Sequence, residues 1–289
     1  MTAPSTRKLT LLLTVILFSG CFQTIAIKTM AGILEYGFEA FNEESDTELA
    51  KEALGSNLKL IEALIKGDPE NEKLLIFAAQ GYNAYALAFV EDDSVERARP
   101  LYLRARDFGI RILAQNSRFK SGWESDFDNF TSAVGSLSKA DVPAAFWTAF
   151  AWGSYINITR TDPEALVELP KVEVLMDFVR RHDSTYYHGS ALLFFGTTEG
   201  SMPPALGGKP DKARDYFERC LAINGGKFLM TNVFYAKTYA VQTQDQELFE
   251  SLLKKVIEAP IDILPSARFP NAVAKQKARR LLARMYDLF

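Results

Sequence analysis

From about residue 25 to the C-terminus, apolar positions recur at three- and four-residue spacing, and little of the chain alternates as a strand would. The spacing predicts helices over 25–43, 46–66, 72–90, 93–115, 124–137, 142–158, 163–181, 186–197, 211–223, 229–243, 246–258 and 271–287. Turn residues fall at the breaks: Gly67-Asp68-Pro69, Asp92-Asp93, Gly225-Gly226, and Pro260 with Pro265. About twelve helices with short links make an all-α chain, arranged as an α-solenoid or a compact α-superhelix.

Internal repetition sharpens this picture. Ala79-x-x-Tyr82 and Ala236-x-x-Tyr239 place a small residue before a ring on one helix. Ala98-x-x-x-Tyr102 and Ala213-x-x-x-Phe217 do so on a second helix, each followed three residues on by Ala105 or Cys220. Pro69 and Pro260 stand where a unit would end. These are the small-plus-aromatic positions of a tetratricopeptide hairpin: small residues let two helices approach, and rings fill the space beside them. The repeats are degenerate. Pro100 lies within a helical pattern and is expected to kink it, and the link 197–210 is long and rich in Gly and Pro. An irregular, closed-up bundle of helix hairpins is therefore expected rather than a uniform open array.

The segment PPALGGKPDKARDYFERC, residues 203–220, carries Gly-Gly-Lys before a charged helix. A phosphate-cradling loop needs a Gly five positions before its second Gly, and a Ser or Thr after the Lys. Those positions hold Pro203 and Pro210. Ala213, Phe217, Cys220 and Leu221 form one apolar stripe, so Gly207-Gly208 reads as the turn that launches a repeat helix.

The 289 residues are 48% hydrophobic and 24% charged, a globular composition. With a formal charge of −3 and no basic block, nucleic acid is not an expected partner. The N-terminus adds more. Arg7 and Lys8 precede the apolar run Leu9–Phe18, and Ser19-Gly20-Cys21 follows. A run this short reads as a secretory signal rather than a membrane span. Cys21 directly after Ser-Gly resembles a bacterial lipobox, although Phe18 occupies the position usual for Leu and Leu17 stands one place earlier. Acylation of Cys21 by palmitate-type chains would anchor the mature chain stably. Removing residues 1–20 takes away two basic residues and moves the formal charge from −3 to −5. Cys220 is then the other cysteine, so stability must come from packing rather than an internal disulfide. Phe22, not Asp, follows Cys21, which favours the outer membrane over retention at the inner one. The expected layout is a signal peptide over 1–20, an anchor and first helix over 21–45, and one superhelical domain over 46–289.

Candidate chemistry is sparse. In Phe146–Tyr155, Phe146, Trp147 and Phe150 share one arc of a helix while Trp152 and Tyr155 take the opposite arc. Such a helix is either central to the superhelix, or has one arc on the core and the other on an apolar conduit. Tyr186, Tyr187, Phe194 and Phe195 form a second aromatic run with the same two readings. His182-Asp183-Ser184 is contiguous, which does not suit a catalytic triad, and His182 reads as an exposed residue at a helix C-terminus. His188 packs near Gly189 or serves a partner. Two histidines without cysteine pairs give no zinc spacing, and Glu43, Glu44, Asp46 and Glu48 read as a solvated helix start rather than a calcium loop. No catalytic residue, metal ligand or cofactor motif is assigned.

Several stretches together resemble a known family. They are Asn57–Glu62 through Asp68-Pro69, Ala79-Gln80-Gly81-Tyr82, Arg97-Ala98 to Arg104, Asp141–Trp147 with Ala151-Trp152-Gly153, Leu206–Pro210, and Asp245–Leu253 with Pro260. In order and spacing they are similar to the T components of TRAP transporters (TatT), over nearly the whole mature chain. The resemblance implies a periplasmic lipoprotein of degenerate tetratricopeptide helices, with a trimer as one assembly it allows. It implies a pore or cleft through each protomer, association with a TRAP substrate-binding protein (the P component), and transfer of a hydrophobic or organic-acid ligand. Lipidation carries over onto Cys21, and no catalytic residue carries over. The alternative is a general tetratricopeptide scaffold of the cell envelope gripping a peptide in a polar groove. A second rival, an envelope hydrolase, would need a buried carboxylate pair or an activated nucleophile in a cleft.

Overall fold

The computed structural model describes residues 27 and 29–289, and every regular element among them is helical. Cys21, the signal segment and the start of the first helix lie outside the described residues. The helices are α1 (29–42), α2 (Thr47–Gly67), α3 (Glu72–Phe89), α4 (Val95–Leu113), α5 (Ser117–Gly122), α6 (Phe127–Val134) and α7 (Val142–Ile158). Then come α8 (Pro163–Leu166), α9 (Leu169–His182), α10 (Tyr186–Gly200), α11 (Pro210–Asn224), α12 (Met230–Tyr235), α13 (Gln246–Glu258) and α14 (Arg268–Ala283).

Local chemistry sets most boundaries. Asp46, Asn71, Ser94, Asp126 and Asp245 each accept a backbone N–H from the first turn of α2, α3, α4, α6 and α13. Asp46 thus uses the acidic cluster to cap a helix, and Glu44 in turn accepts from the Asp46 amide at 2.7 Å. The Gly207-Gly208 turn is required by geometry. Gly207 has φ 95°, and a Cβ on Gly208 would sit 1.9 Å from the Met202 carbonyl oxygen. Pro210 then opens α11 at a position where its missing amide costs nothing.

Three expected boundaries are corrected. The helix expected over 163–181 divides into α8 and α9, because Pro170 cannot donate within an unbroken helix and instead serves the first turn of α9. Residues 117–122, expected as a link, form α5, capped by Asn116. The helix expected over 229–243 is α12 followed by a π turn at Ala236–Ala240. By contrast α4 continues through Pro100 to Leu113.

The small-plus-aromatic positions picked out from the sequence are all buried: Ala79, Tyr82, Ala98, Tyr102, Ala105, Ala213, Phe217, Cys220, Ala236 and Tyr239. Two large apolar clusters result. One gathers side chains mainly of α1–α9, with Ala191 of α10, and the other mainly of α10–α14, with Ala50 of α2. The halves are tied where α14 returns to the start of the chain. Gln276 donates to the Thr47 hydroxyl at 2.6 Å, and the Phe269 ring lies 4.5 Å from Phe41 and 5.9 Å from Phe89. The arrangement is a closed helical fold.

Close helix approach is tested at Gly109 of α4, which faces α7. A Cβ there would lie 2.1 Å from Thr148 Oγ1 and 3.2 Å from the Thr148 Cα. Gly109→Ala is therefore expected to destabilise the protein by roughly 1–3 kcal/mol despite the better helix propensity of Ala. Gly55→Ala, whose Cβ would meet only Tyr85 at 3.8 Å, should be neutral or stabilising by up to about 1 kcal/mol. Urea denaturation of the two variants gives the comparison.

Candidate functional site

The seam between the two apolar clusters is incompletely filled. Two cavities lie along it, of about 100 Å³ and about 310 Å³. The smaller is walled by Phe38 and Phe41 of α1, Ala84 and Ala88 of α3, Trp147 and Phe150 of α7, Tyr187, and Phe228, Met230 and Phe269 from the second half. The larger runs from Phe150 and Ile156 of α7 along Phe194, Thr197 and Thr198 of α10 to Ser201–Pro203, with Arg160 and Leu169 opposite. Leu87, Phe150, Ser190, Leu193 and Phe234 belong to both walls, so a single layer of side chains separates the two spaces.

Packing explains why space remains here. Helix α3 presents Ala84 and Ala88 toward the smaller cavity, small residues that leave its aromatic lining unfilled at the centre, while Gly81 makes room for Leu58 of α2. On the far side the backbone is strained. Tyr187, His188 and Gly189 have φ of 44°, 63° and 80°, a left-handed run that costs roughly 1–2 kcal/mol for each non-glycine residue. Surrounding bonds hold it. Ser190 donates to the Tyr187 carbonyl at 2.6 Å, Asn224 donates to the His188 carbonyl at 3.3 Å, and the His188 ring stacks 4.5 Å from Phe228. The turn aims the Tyr187 ring at Trp147, 4.7 Å away, and into the cavity wall. Backbone strain over-determined by its surroundings is characteristic of functional sites. Burial pushes the Tyr187 phenol far above its ordinary value and the Tyr186 phenol to about 12, and it lowers the His188 imidazole. All three are therefore neutral in neutral solution.

The nine aromatic residues singled out from the sequence separate into two sets. Trp147, Phe150, Tyr187 and Phe194 line the cavities. Phe146 is wholly buried behind them, 5.0 Å from Trp147 and 5.2 Å from Tyr186, so neither it nor Tyr186 lines either cavity. Trp152 faces the opposite side, edge-on to Phe130 at 6.4 Å. Tyr155 packs beside the small cluster of Ala86, Val90, Ala98 and Tyr102, and Phe195 lies against Tyr216. So α7 is at once the central helix and, along its Trp147–Phe150 arc, a cavity wall. The sequence reading missed Phe38, Phe41, Phe228, Phe234 and Phe269, which come from four other segments of the chain. Their one available signal was the small-residue face of α3, which needs aromatic neighbours from elsewhere. His182 is exposed at the end of α9, its Nδ1 2.9 Å from the Phe178 carbonyl, as expected.

Charge in the larger cavity is limited to Glu91 and Arg160. Glu91 is fully engaged: one oxygen pairs with Lys277 at 2.8 Å and the other accepts from the Tyr102 hydroxyl at 2.5 Å. The Cys220 thiol is buried, outside both walls, and raised to about 11 by desolvation, which makes it a poor nucleophile. What the arrangement offers is enclosure of an apolar body beside a few polar groups, which is binding chemistry.

Lys277 stands at the closure of the fold. Burial alone would lower its pKa, but Glu91 and Asp92, each 2.8 Å away, outweigh that and hold it above the ordinary value. Lys277→Met leaves a buried carboxylate unpaired and is expected to cost about 3–5 kcal/mol. A raised lysine pKa stabilises the fold in full below about pH 10.4 and is lost as pH rises through the folded value. The stability gap between wild type and Lys277→Met should therefore be constant near neutrality and shrink at higher alkaline pH, as read by denaturation at each pH.

No curated protein matches the chain. A family model described as TRAP transporter T-component matches residues 43–289, which takes in the whole fold from α2 onward.

Proposed function

The chain belongs to the TRAP transporter T-component family, and from that premise we propose that its two cavities form the path for an apolar or organic-acid solute. In this reading acyl chains on Cys21 hold the protein at the periplasmic face of a bacterial membrane, the outer one favoured. One cavity mouth docks the TRAP substrate-binding protein, to or from which the solute is handed. Among the described residues no helix is long and apolar enough to cross a membrane. Attachment through Cys21 is in keeping with that, because acyl chains anchor without a span. The domain layout follows: signal peptide 1–20, anchor and first helix 21–45, and the helical domain 46–289. A trimer would set such paths side by side.

One observation carries the proposal: two aromatic-walled cavities lie end to end with one layer of side chains between them. A peptide-gripping scaffold would instead need a groove of polar and charged groups for backbone and termini. The walls here are mainly rings and aliphatic chains with a minority of polar groups, which favours the solute reading over the scaffold. A hydrolytic site would need a free carboxylate or an activated nucleophile, and the one acid on the walls is spent on Lys277 and Tyr102.

The uncharged fluorophore N-phenyl-1-naphthylamine is expected to bind the purified protein and brighten. Ala88→Leu, which fills the smaller cavity, should weaken binding by tenfold or more without lowering the melting temperature. Absence of binding, or equal binding by the variant, would overturn the cavity reading. For the anchor, the protein made with its native leader is expected in the detergent phase after phase separation, and Cys21→Ser in the aqueous phase. Recovery of both in the same phase would remove the anchor.

A further inference from the structure

We infer that Arg160 is the anchor for the anionic head of an amphiphilic ligand whose apolar body lies in the larger cavity. The inference rests on the proposal that this cavity takes a solute, and it adds the ligand's charge, its orientation and the residue that recognises it.

The two charged wall residues of this cavity are Glu91 and Arg160. Glu91 is neutralised by Lys277, with which it is 9% exposed. Arg160 has no carboxylate within ion-pair distance among the described residues. The nearest acid in sequence, Asp162, is committed elsewhere: one oxygen caps α8 through the Glu164 amide at 3.0 Å, and the other meets Arg99 at 3.4 Å. The bond that Arg160 does make is to the Asn157 side-chain oxygen, itself on the cavity wall. The cavity therefore carries one uncompensated positive charge.

Arg160 follows the end of α7, where Thr159 caps the helix, so its side chain leaves the helix at the rim rather than in the depth. The residue is exposed there, while protein packed around the guanidinium depresses its pKa by desolvation. Asn157 stands beside it, and the same wall carries Thr197, Thr198 and Ser201, groups able to bond an oxyanion or its water. Elsewhere on the wall, the buried Ile156 and Leu193 and the half-buried Leu169, Phe194, Phe150 and Phe234 present carbon alone.

Chemistry then selects the ligand. A guanidinium gives a planar fork of donors that matches a carboxylate or another oxyanion in two parallel bonds. Partly desolvated, such a pair is stronger than its counterpart in water. A neutral apolar molecule would leave the fork unmatched, a cation would be repelled, and a dianion or polyol would bury polar groups against the aliphatic depth without partners. The fitting class is a molecule with a single anionic head and one apolar body, the body pointing toward the Phe150–Leu193–Phe234 partition.

Calorimetric titration of the purified full-length protein with decanoate, 1-decanol and decyltrimethylammonium tests this. Wild type should bind decanoate roughly tenfold or more tightly than 1-decanol, and decyltrimethylammonium more weakly than either. Arg160→Gln should erase the preference for decanoate while leaving 1-decanol binding unchanged, which also serves as the control for folding. Arg160→Lys should keep part of the preference. Arg219→Gln, the same charge loss at an exposed pair on α11, should keep all of it. Equal affinity of wild type for decanoate and 1-decanol, or an unchanged preference in Arg160→Gln, would overturn the anchor while leaving the apolar cavity standing. Failure of all three probes to bind would overturn both.

Discussion

The fold closes on one buried cation. Lys277 of α14 lies between Glu91 and Asp92 at the end of α3, 2.8 Å from each, and it joins the last helix to the first half of the chain. A stack of helix hairpins has no intrinsic reason to close, since each pair contacts mainly its neighbours. Here the return of α14 brings Gln276 to Thr47 and Phe269 to Phe41, and the ion pair fixes the register of that return. The charge earns its place through position: replaced by a well-packed apolar group together with its partners it could be dispensed with, but broken on one side it leaves an uncompensated buried carboxylate. Arg280, one turn further on, meets Asp93 at 3.0 Å in the exposed part of the same junction.

Closure has a geometric consequence. Two apolar clusters, each packed well within itself, meet along a seam whose shape neither sets alone. The cavities occupy that seam. Small residues of α3 leave room on one side, and the left-handed turn at Tyr187–Gly189 holds a ring at the wall on the other. The turn is costly locally, yet it is locked by Ser190, Asn224 and the His188–Phe228 stack. Its effect is to place Tyr187 against Trp147, where a regular helix start would have directed the side chain elsewhere.

Local features were legible in the sequence and long-range ones were not. The small-plus-aromatic pairs named the interior of the hairpins, because each pair is set by packing between adjacent helices. Gly207-Gly208 was readable as a turn, because a Cβ at Gly208 cannot coexist with the Met202 carbonyl. Lys277, by contrast, sits in a run of lysines and arginines and looks like any solvated helix face. Only the approach of Glu91 and Asp92, some 185 positions away, makes it buried. The rings of α7 were visible in the sequence, but which of them face space depends on what α3, α10 and α12 place opposite. Phe146 and Trp147 are adjacent, and one lies behind the wall while the other forms it. Tyr187 and His188 carry no mark of a left-handed backbone, and Pro170 was read past although it divides a helix.

The partition between the cavities bears on whether a solute is stored or passed on. Of its residues, Leu87 and Phe150 stand on α3 and α7, regular helices packed on both sides. Ser190 follows the left-handed turn directly, and Phe234 lies just ahead of the π turn at Ala236–Ala240. The left-handed turn is held by Ser190, Asn224 and the His188–Phe228 stack, so the irregular backbone on this side is fixed by its surroundings. The partition is asymmetric in backbone: Leu87 and Phe150 stand on regular helix, Leu193 on the regular part of α10, and Ser190 and Phe234 next to irregular turns. A solute oriented by a charge at the Arg160 rim meets this partition with its apolar end, on the side where Leu87, Phe150, Leu193 and Phe234 present carbon.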